Sequence, residues 1–209
     1  MLLLGVQLLL LRTELSKPWS NLPDLGAAAF ILNRVISLAF IAGLALIYIV
    51  RRPPTLRRHD PVAFLVSMYA SFVLLSYRPV AKMIGFQPQL NHSPTALMLS
   101  NLMVIAGVGL SVYSLLYLRF NFSILPEARE LITRGPYRIV RHPIYLGEIL
   151  SGAGLVLAMP NWIFLLLLVT FIAAQLFRTR IEEAILRKAF PDYDGFARRT
   201  RYRLIPGVV

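Results

Sequence analysis

The sequence predicts an all-α, polytopic integral membrane protein with about five transmembrane helices. Three observations predict it. Only 15% of the 209 residues are charged and 57% are hydrophobic, whereas soluble domains carry about a quarter charged residues. Mean hydropathy is +0.65. Apolar stretches long enough, or nearly so, to cross about 30 Å of hydrocarbon recur along the chain, at 27–50, 61–77, 95–118, 143–159 and 161–177. The net charge of +12 would raise nucleic acid in a soluble protein. In this setting it reads as positive-inside bias and contact with anionic headgroups, so the expected partner is the lipid bilayer and not nucleic acid. The absence of cysteine excludes disulfides, thiolate metal sites and a Cys nucleophile.

Residues 1–11 (MLLLGVQLLLL) are too short to span and lack the charged start and cleavage site of a signal peptide, so they read as an interfacial segment. Residues 12–26 read as a loop, with two prolines and an interfacial Trp. The apolar segments at 27–50 and 95–118 are long enough for tilted spans; the other three lie at the short end of the range. Pro160 and Asn161 alone separate the last two, which predicts a tight helical hairpin. The loops 51–60 and 119–142 and the tail 178–209 hold 17 of the 22 Lys and Arg residues. That bias puts all three, with the C-terminus, on the cytoplasmic side. The short loops point to a bacterial or archaeal inner-membrane protein. The expected division is 1–118 as amino-terminal membrane helices and 119–209 as a functional core.

Two polar clusters fall on that predicted cytoplasmic side. One is RGPYRIVRHPIYLGE, residues 134–148, at the start of the fourth span; the other, RTRIEEAILRKAFPDYDGFARRTRYRLIP, residues 178–206, leaves the fifth. The hairpin makes the two span ends neighbours, so the clusters must meet. Pro143 suits a first helical turn, which puts His142 at the helix entrance. Tyr145 and Glu148 share a helix face. Glu148 lies at membrane depth, where an acidic residue marks a functional site unless it snorkels or pairs, with Arg141 as one candidate partner. Gly147, Ser151, Gly154 and Gly152 allow close approach of another helix or a ligand. Arg178 stands four residues before Glu182 and Arg180 three before Glu183, so intrahelical ion pairs are available. Adjacent glutamates point about 100° apart, so only one of Glu182 and Glu183 is expected to face a pocket. His59, His92 and His142 are too dispersed for a three-His metal site, and no metal is expected. GVGLSV at 107–112 lies inside a span, so it is not a dinucleotide loop.

GPYR-x-VRHP-x-Y-x-G, the following R-x-x-x-EE-x-x-L, F-x-x-Y and the terminal R-x-I-P resemble the isoprenylcysteine carboxyl methyltransferase family, whose wider kin include the phospholipid N-methyltransferases. The resemblance covers residues 115–206. Pro191 and Phe196 depart from the family pattern, which often has Gly and Tyr there. The resemblance implies methyl transfer from S-adenosyl-L-methionine, with a cytoplasmic carboxy-terminal region binding the cofactor. It implies that Tyr137, His142, Tyr145, Leu146, Gly147, Glu182 or Glu183, Tyr193 and Pro206 serve that pocket, with the tail from Tyr193 to Pro206 closing it. The sulfonium already activates the methyl group, so the protein's task is orientation and electrostatics. A carboxylate acceptor would need a docking cation, for which Arg138, Arg141 and Arg178 are candidates. An amine would need a base, such as Glu148, His142 or one of the paired glutamates. The acceptor is expected to be lipophilic and to enter from the membrane. Two rivals stand beside this reading: a membrane NADPH-dependent reductase sharing the carboxy-terminal helices, and a non-catalytic membrane regulator.

Overall fold

The computed structural model describes residues 46, 49–50, 53–57, 60–76, 80–81, 83–86, 89, 91–123, 125 and 127–207. The chain divides into two compact units, 1–51 and 52–209, and the second is the one described below. The expected span at 27–50 and the segments 1–11 and 12–26 lie outside the described residues, apart from three positions near the end of that span. The described chain is mostly helical. Helix α1 runs Pro61–Phe72 and continues as a 3-10 turn Val73–Ser76. Helix α2 is Pro94–Leu118, α3 Pro143–Ala158, α4 Trp162–Ala189 and α5 Tyr193–Arg199. Two of them, α2 and α4, are long and apolar enough to cross a membrane; α1 and α3 are shorter apolar helices.

The helix starts follow from capping chemistry. Asp60 accepts from the amides of Val62 and Ala63, Ser93 from Ala96, and Asn161 from Phe164, which satisfies amides that have no partner within the helix. Prolines 61, 94 and 143 occupy first-turn positions, where a missing N–H costs nothing. The expected hairpin forms at Met159–Pro160–Asn161, with the Asn161 amide also donating to the Met159 carbonyl (2.8 Å). Helix α4 has 28 residues, or about 42 Å at 1.5 Å per residue. Its apolar part ends near Phe177, and its last three turns carry the charged residues from Arg178 to Lys188.

Helices α2 and α3 pack in close contact through small residues. A Cβ placed on Gly107 would collide with the Gly147 carbonyl oxygen, and one on Gly154 would lie 2.9 Å from the Ser100 carbonyl oxygen. Ser100 donates to the Gly154 carbonyl (2.7 Å) and Ser111 to the Ile144 carbonyl (3.2 Å). Ser100, Gly107 and Ser111 of α2 with Gly147, Ser151 and Gly154 of α3 are thus a helix–helix seam. Helix α4 packs on α1 in two layers, Ala63 with Ile181 and Ile185, and Val73 with Leu168 and Phe171. Meanwhile Val62, Phe64, Leu65, Met98, Leu102, Ile105, Leu166 and Val169 remain exposed. Apolar side chains turned outward on three helices suit a lipid environment.

The three arginine-rich segments come together at one end of the molecule. A two-stranded antiparallel ribbon pairs β1 (Leu56–Arg57) with β2 (Glu127–Ala128). The tail bonds to the segment before α3: the Arg141 amide donates to the Tyr202 carbonyl (2.9 Å) and the His142 amide to the Arg203 carbonyl (3.0 Å). Gly135 makes the intervening loop possible. It holds φ +61, which other residues rarely adopt, and its α-carbon sits against the Tyr117 ring, where a Cβ would come within 2.6 Å.

Candidate active site

His142 is the N-cap residue of α3, yet its side chain caps nothing, unlike those of Asp60, Ser93 and Asn161. The buried ring instead faces the α4 glutamates, with Nδ1 3.7 Å from Glu182 Oε2 and Nε2 3.4 Å from Glu183 Oε1. It stacks on Tyr145 with ring centroids 5.6 Å apart and planes 4° from parallel. The Tyr145 hydroxyl donates to Glu182 Oε1 (2.5 Å), and Arg178 Nε donates to the same oxygen (3.1 Å) while its guanidinium lies over the Tyr145 ring (4.7 Å to the centroid). Arg178, Tyr145 and His142 therefore form a layered stack edged by one carboxylate. The hairpin creates it by bringing the first turn of α3 beside the last turns of α4.

A cleft opens on this stack, with about 870 Å³ of empty space including its mouth. Tyr137, Arg141, His142, Tyr145, Glu182 and Tyr193 line it, as the expected site residues. Ser123, Glu127, Arg129 and Glu130, which the sequence does not single out, line it as well, as does Phe196 in the tail expected to close the pocket. Arg129 and Glu127 are a buried ion pair, and Ser123 donates to Glu127 (2.9 Å). The two-residue spacing of opposite charges at 127 and 129 is the one signal the sequence offered.

The remaining expected residues sit elsewhere. Gly147 faces α2 in the helix seam, and Leu146 and Pro206 do not line the cleft. Arg178 lies behind Tyr145. Glu148 accepts a hydrogen bond from Gln175 (2.6 Å), not from Arg141. Gln175 is fully buried and was not singled out from the sequence, although a lone carboxamide in an apolar span is a signal of its own. Glu183 does not line the cleft. It accepts from Arg141 Nε (2.8 Å) and from Arg203 Nε and Nη2 (3.1 and 3.0 Å).

The electrostatics follow from burial and pairing. Burial opposes ionisation of Glu183, but His142, Arg203 and Arg141 together hold its carboxyl well below the usual carboxylate range. Burial raises the Tyr137 and Tyr193 phenols well above their ordinary value, and the charges of Glu182 and Glu183 respectively push them further. Both phenols thus stay protonated as donors. The Tyr193 hydroxyl is buried without a hydrogen-bond partner among the described residues, while His142 Nε2 faces Glu183 Oε1. A buried polar atom left unpaired costs about 1–3 kcal/mol, so the Tyr193 hydroxyl on the cleft wall is suited to a polar ligand.

Comparison with known proteins bears on the same segment. The nickel-cobalt-cadmium resistance protein NccN of Alcaligenes xylosoxydans xylosoxydans is 36% identical over 76 residues, 35% of this chain and 35% of that protein. The match thus spans about a third of the relative's length. The family model described as phospholipid methyltransferase matches residues 95–193, from the first turn of α2 through the cleft to the start of α5. Residues 95–193 are thus similar to the phospholipid methyltransferase family, in agreement with the resemblance in the RHP and paired-glutamate motifs.

Proposed function

We propose that this protein is a membrane methyltransferase that takes its methyl group from S-adenosyl-L-methionine and transfers it to a lipidic or amphipathic carboxylate or amine. The observation that carries the reading is the cleft itself, lined by His142, Tyr145, the Glu182 carboxylate and Tyr193, whose hydroxyl is buried without a hydrogen-bond partner among the described residues. That donor and acceptor set fits a ligand with a sulfonium, an amino group and ribose hydroxyls. When bound, the cofactor supplies an activated methyl group that needs no metal or covalent enzyme intermediate.

The chain's own residues do the rest. Glu182, oriented by Tyr145 and Arg178, presents a carboxylate to the cationic part of the ligand. His142 and Tyr145 form a flat apolar wall with polar edges. Tyr137, Tyr193 and Phe196 complete the lining. Arg141 lines the cleft with its guanidinium held by Glu183 and the tail carbonyls, so it contributes positive charge to the wall where an acceptor carboxylate would dock. Glu148, at membrane depth and held by Gln175, is placed to take a proton from an amine acceptor arriving along the helices. The polar groups come from 119–209, and the amino-terminal helices complete a five-span assembly with the cleft on the cytoplasmic side of an inner membrane. The NccN name adds no ligand set, because among the described residues no three His, Asp or Glu side chains gather as metal ligands would.

The test is transfer of tritiated methyl from S-adenosylmethionine into an organic extract of membranes containing the protein. Transfer dependent on Glu182 supports the reading. Label released as methanol by alkali marks a carboxyl ester, and alkali-stable label marks a methylated amine. No transfer into any lipid fraction by cofactor-bound protein would remove the lipid acceptor from the proposal.

A further inference from the structure

The two adjacent glutamates of α4 make separate sets of contacts. Glu182 lines the cleft and is half-buried. Glu183 lines no part of the cleft, and its side chain is 1% exposed. Every cation near Glu183 is tied to the tail or to the segment the tail covers. Arg203, in the tail, bonds both carboxylate oxygens. Arg141 bonds Oε1 through Nε and uses its Nη1 to donate to the carbonyls of Thr200 (2.8 Å) and Arg201 (2.7 Å). Arg187, one turn on, stands 3.8 Å from Oε2 and lies over the Tyr193 ring.

We propose that Glu183 is a positioning residue, the latch of a C-terminal strap, and not a ligand of whatever the cleft binds. The strap is residues 200–204, seated by buried Thr200 and Leu204. Thr200 donates to the Tyr137 carbonyl (3.3 Å). The strap's backbone carbonyls receive the amides of Arg141 and His142. Through these bonds the latch fixes His142 at the head of α3 and ties the strap to Tyr137 on the cleft wall. Charge-assisted bonds to a buried carboxylate are stronger than neutral ones, so one side chain governs the whole strap. Glu183 thus acts on the cleft through the strap, and that consequence rests on the methyltransferase reading while the latch itself does not.

Hydrogen exchange of the full chain in detergent, without ligand, reads the latch directly at the Arg141 and His142 amides. Glu183→Gln and Arg203→Gln are expected to speed exchange there by about tenfold or more, the range set by losing a hydrogen bond to a charged group. Glu182→Gln is expected to leave it unchanged. A wild-type exchange rate at these amides in Glu183→Gln would overturn the proposal. So would loss of S-adenosylhomocysteine binding in Glu183→Gln with the strap still protected, because Glu183 would then be a direct ligand. Should Glu183→Gln fail to fold, Arg203→Gln, a change on a half-exposed tail residue, decides. If the wild type binds no S-adenosylhomocysteine, the methyl-donor reading falls and the exchange rates still judge the latch.

Discussion

At the scale of single residues, the site depends on side chains whose usual local work has been left undone. His142 occupies a helix N-cap without capping, and its ring sits between two carboxylates and a tyrosine face. Tyr145 has the body of an interfacial aromatic, but its hydroxyl is committed to Glu182. Tyr145→Phe keeps the ring between His142 and Arg178 and removes that one bond. It is expected to weaken S-adenosylhomocysteine binding about tenfold with little change in melting temperature; unchanged affinity would mean that Glu182 needs no orientation. The sequence made much of this legible. The Arg178–Glu182 pair follows from four-residue spacing, and the meeting of His142 with the paired glutamates follows from the hairpin alone. Arg141 illustrates what was hidden. Its neighbour in sequence suggested Glu148, but the pairing is with Glu183, because the tail supplies two carbonyls that hold the guanidinium on the other side. A tail that folds back by backbone bonds leaves no periodic trace in the sequence.

At the scale of elements, the cleft is positioned by the fit of α3 against α2. Gly147 and Gly107 bring the two backbones into contact, and α3 carries Pro143, His142 and Tyr145 at its head. The small residues of the fourth span were legible as an approach surface, whereas their partner was not, since a glycine pattern does not say whether a helix or a ligand will come close. Gly147→Val is expected to destabilise the protein by about 1–3 kcal/mol, as overpacking does. The melting temperature should then fall by several degrees, with ligand affinity lost alongside. Gly109→Val on α2 is the matching control, because a Cβ there meets nothing within 4 Å. Equal melting temperatures for the two variants would contradict the seam.

At the scale of the whole molecule, the described residues of 52–209 gather polar chemistry at one end and present apolar side chains outward along α1, α2 and α4. The loops 51–60 and 119–142 and the tail share that end through the β1–β2 ribbon and the bonds from Arg141 and His142 to the tail. Charge bias in the sequence grouped these three segments; the ribbon and the strap are the contacts that join them. Helices α2 and α4 are long and apolar enough to span, and α3 ends within a residue of the expected 143–159, while α1 is shorter than hydropathy suggested. The reason is local. The chain tightens into a 3-10 turn after Phe72. The family match at 95–193 covers nearly all of the cleft wall, so ligand binding there tests the central claim most directly. Calorimetric titration of the detergent-purified protein with S-adenosylhomocysteine is that measurement, run beside Glu182→Ala. The account predicts micromolar binding by the wild type, lost in the variant while its fold is retained. A folded wild type that binds no S-adenosylhomocysteine, or a Glu182→Ala variant that binds it as tightly, would contradict the account.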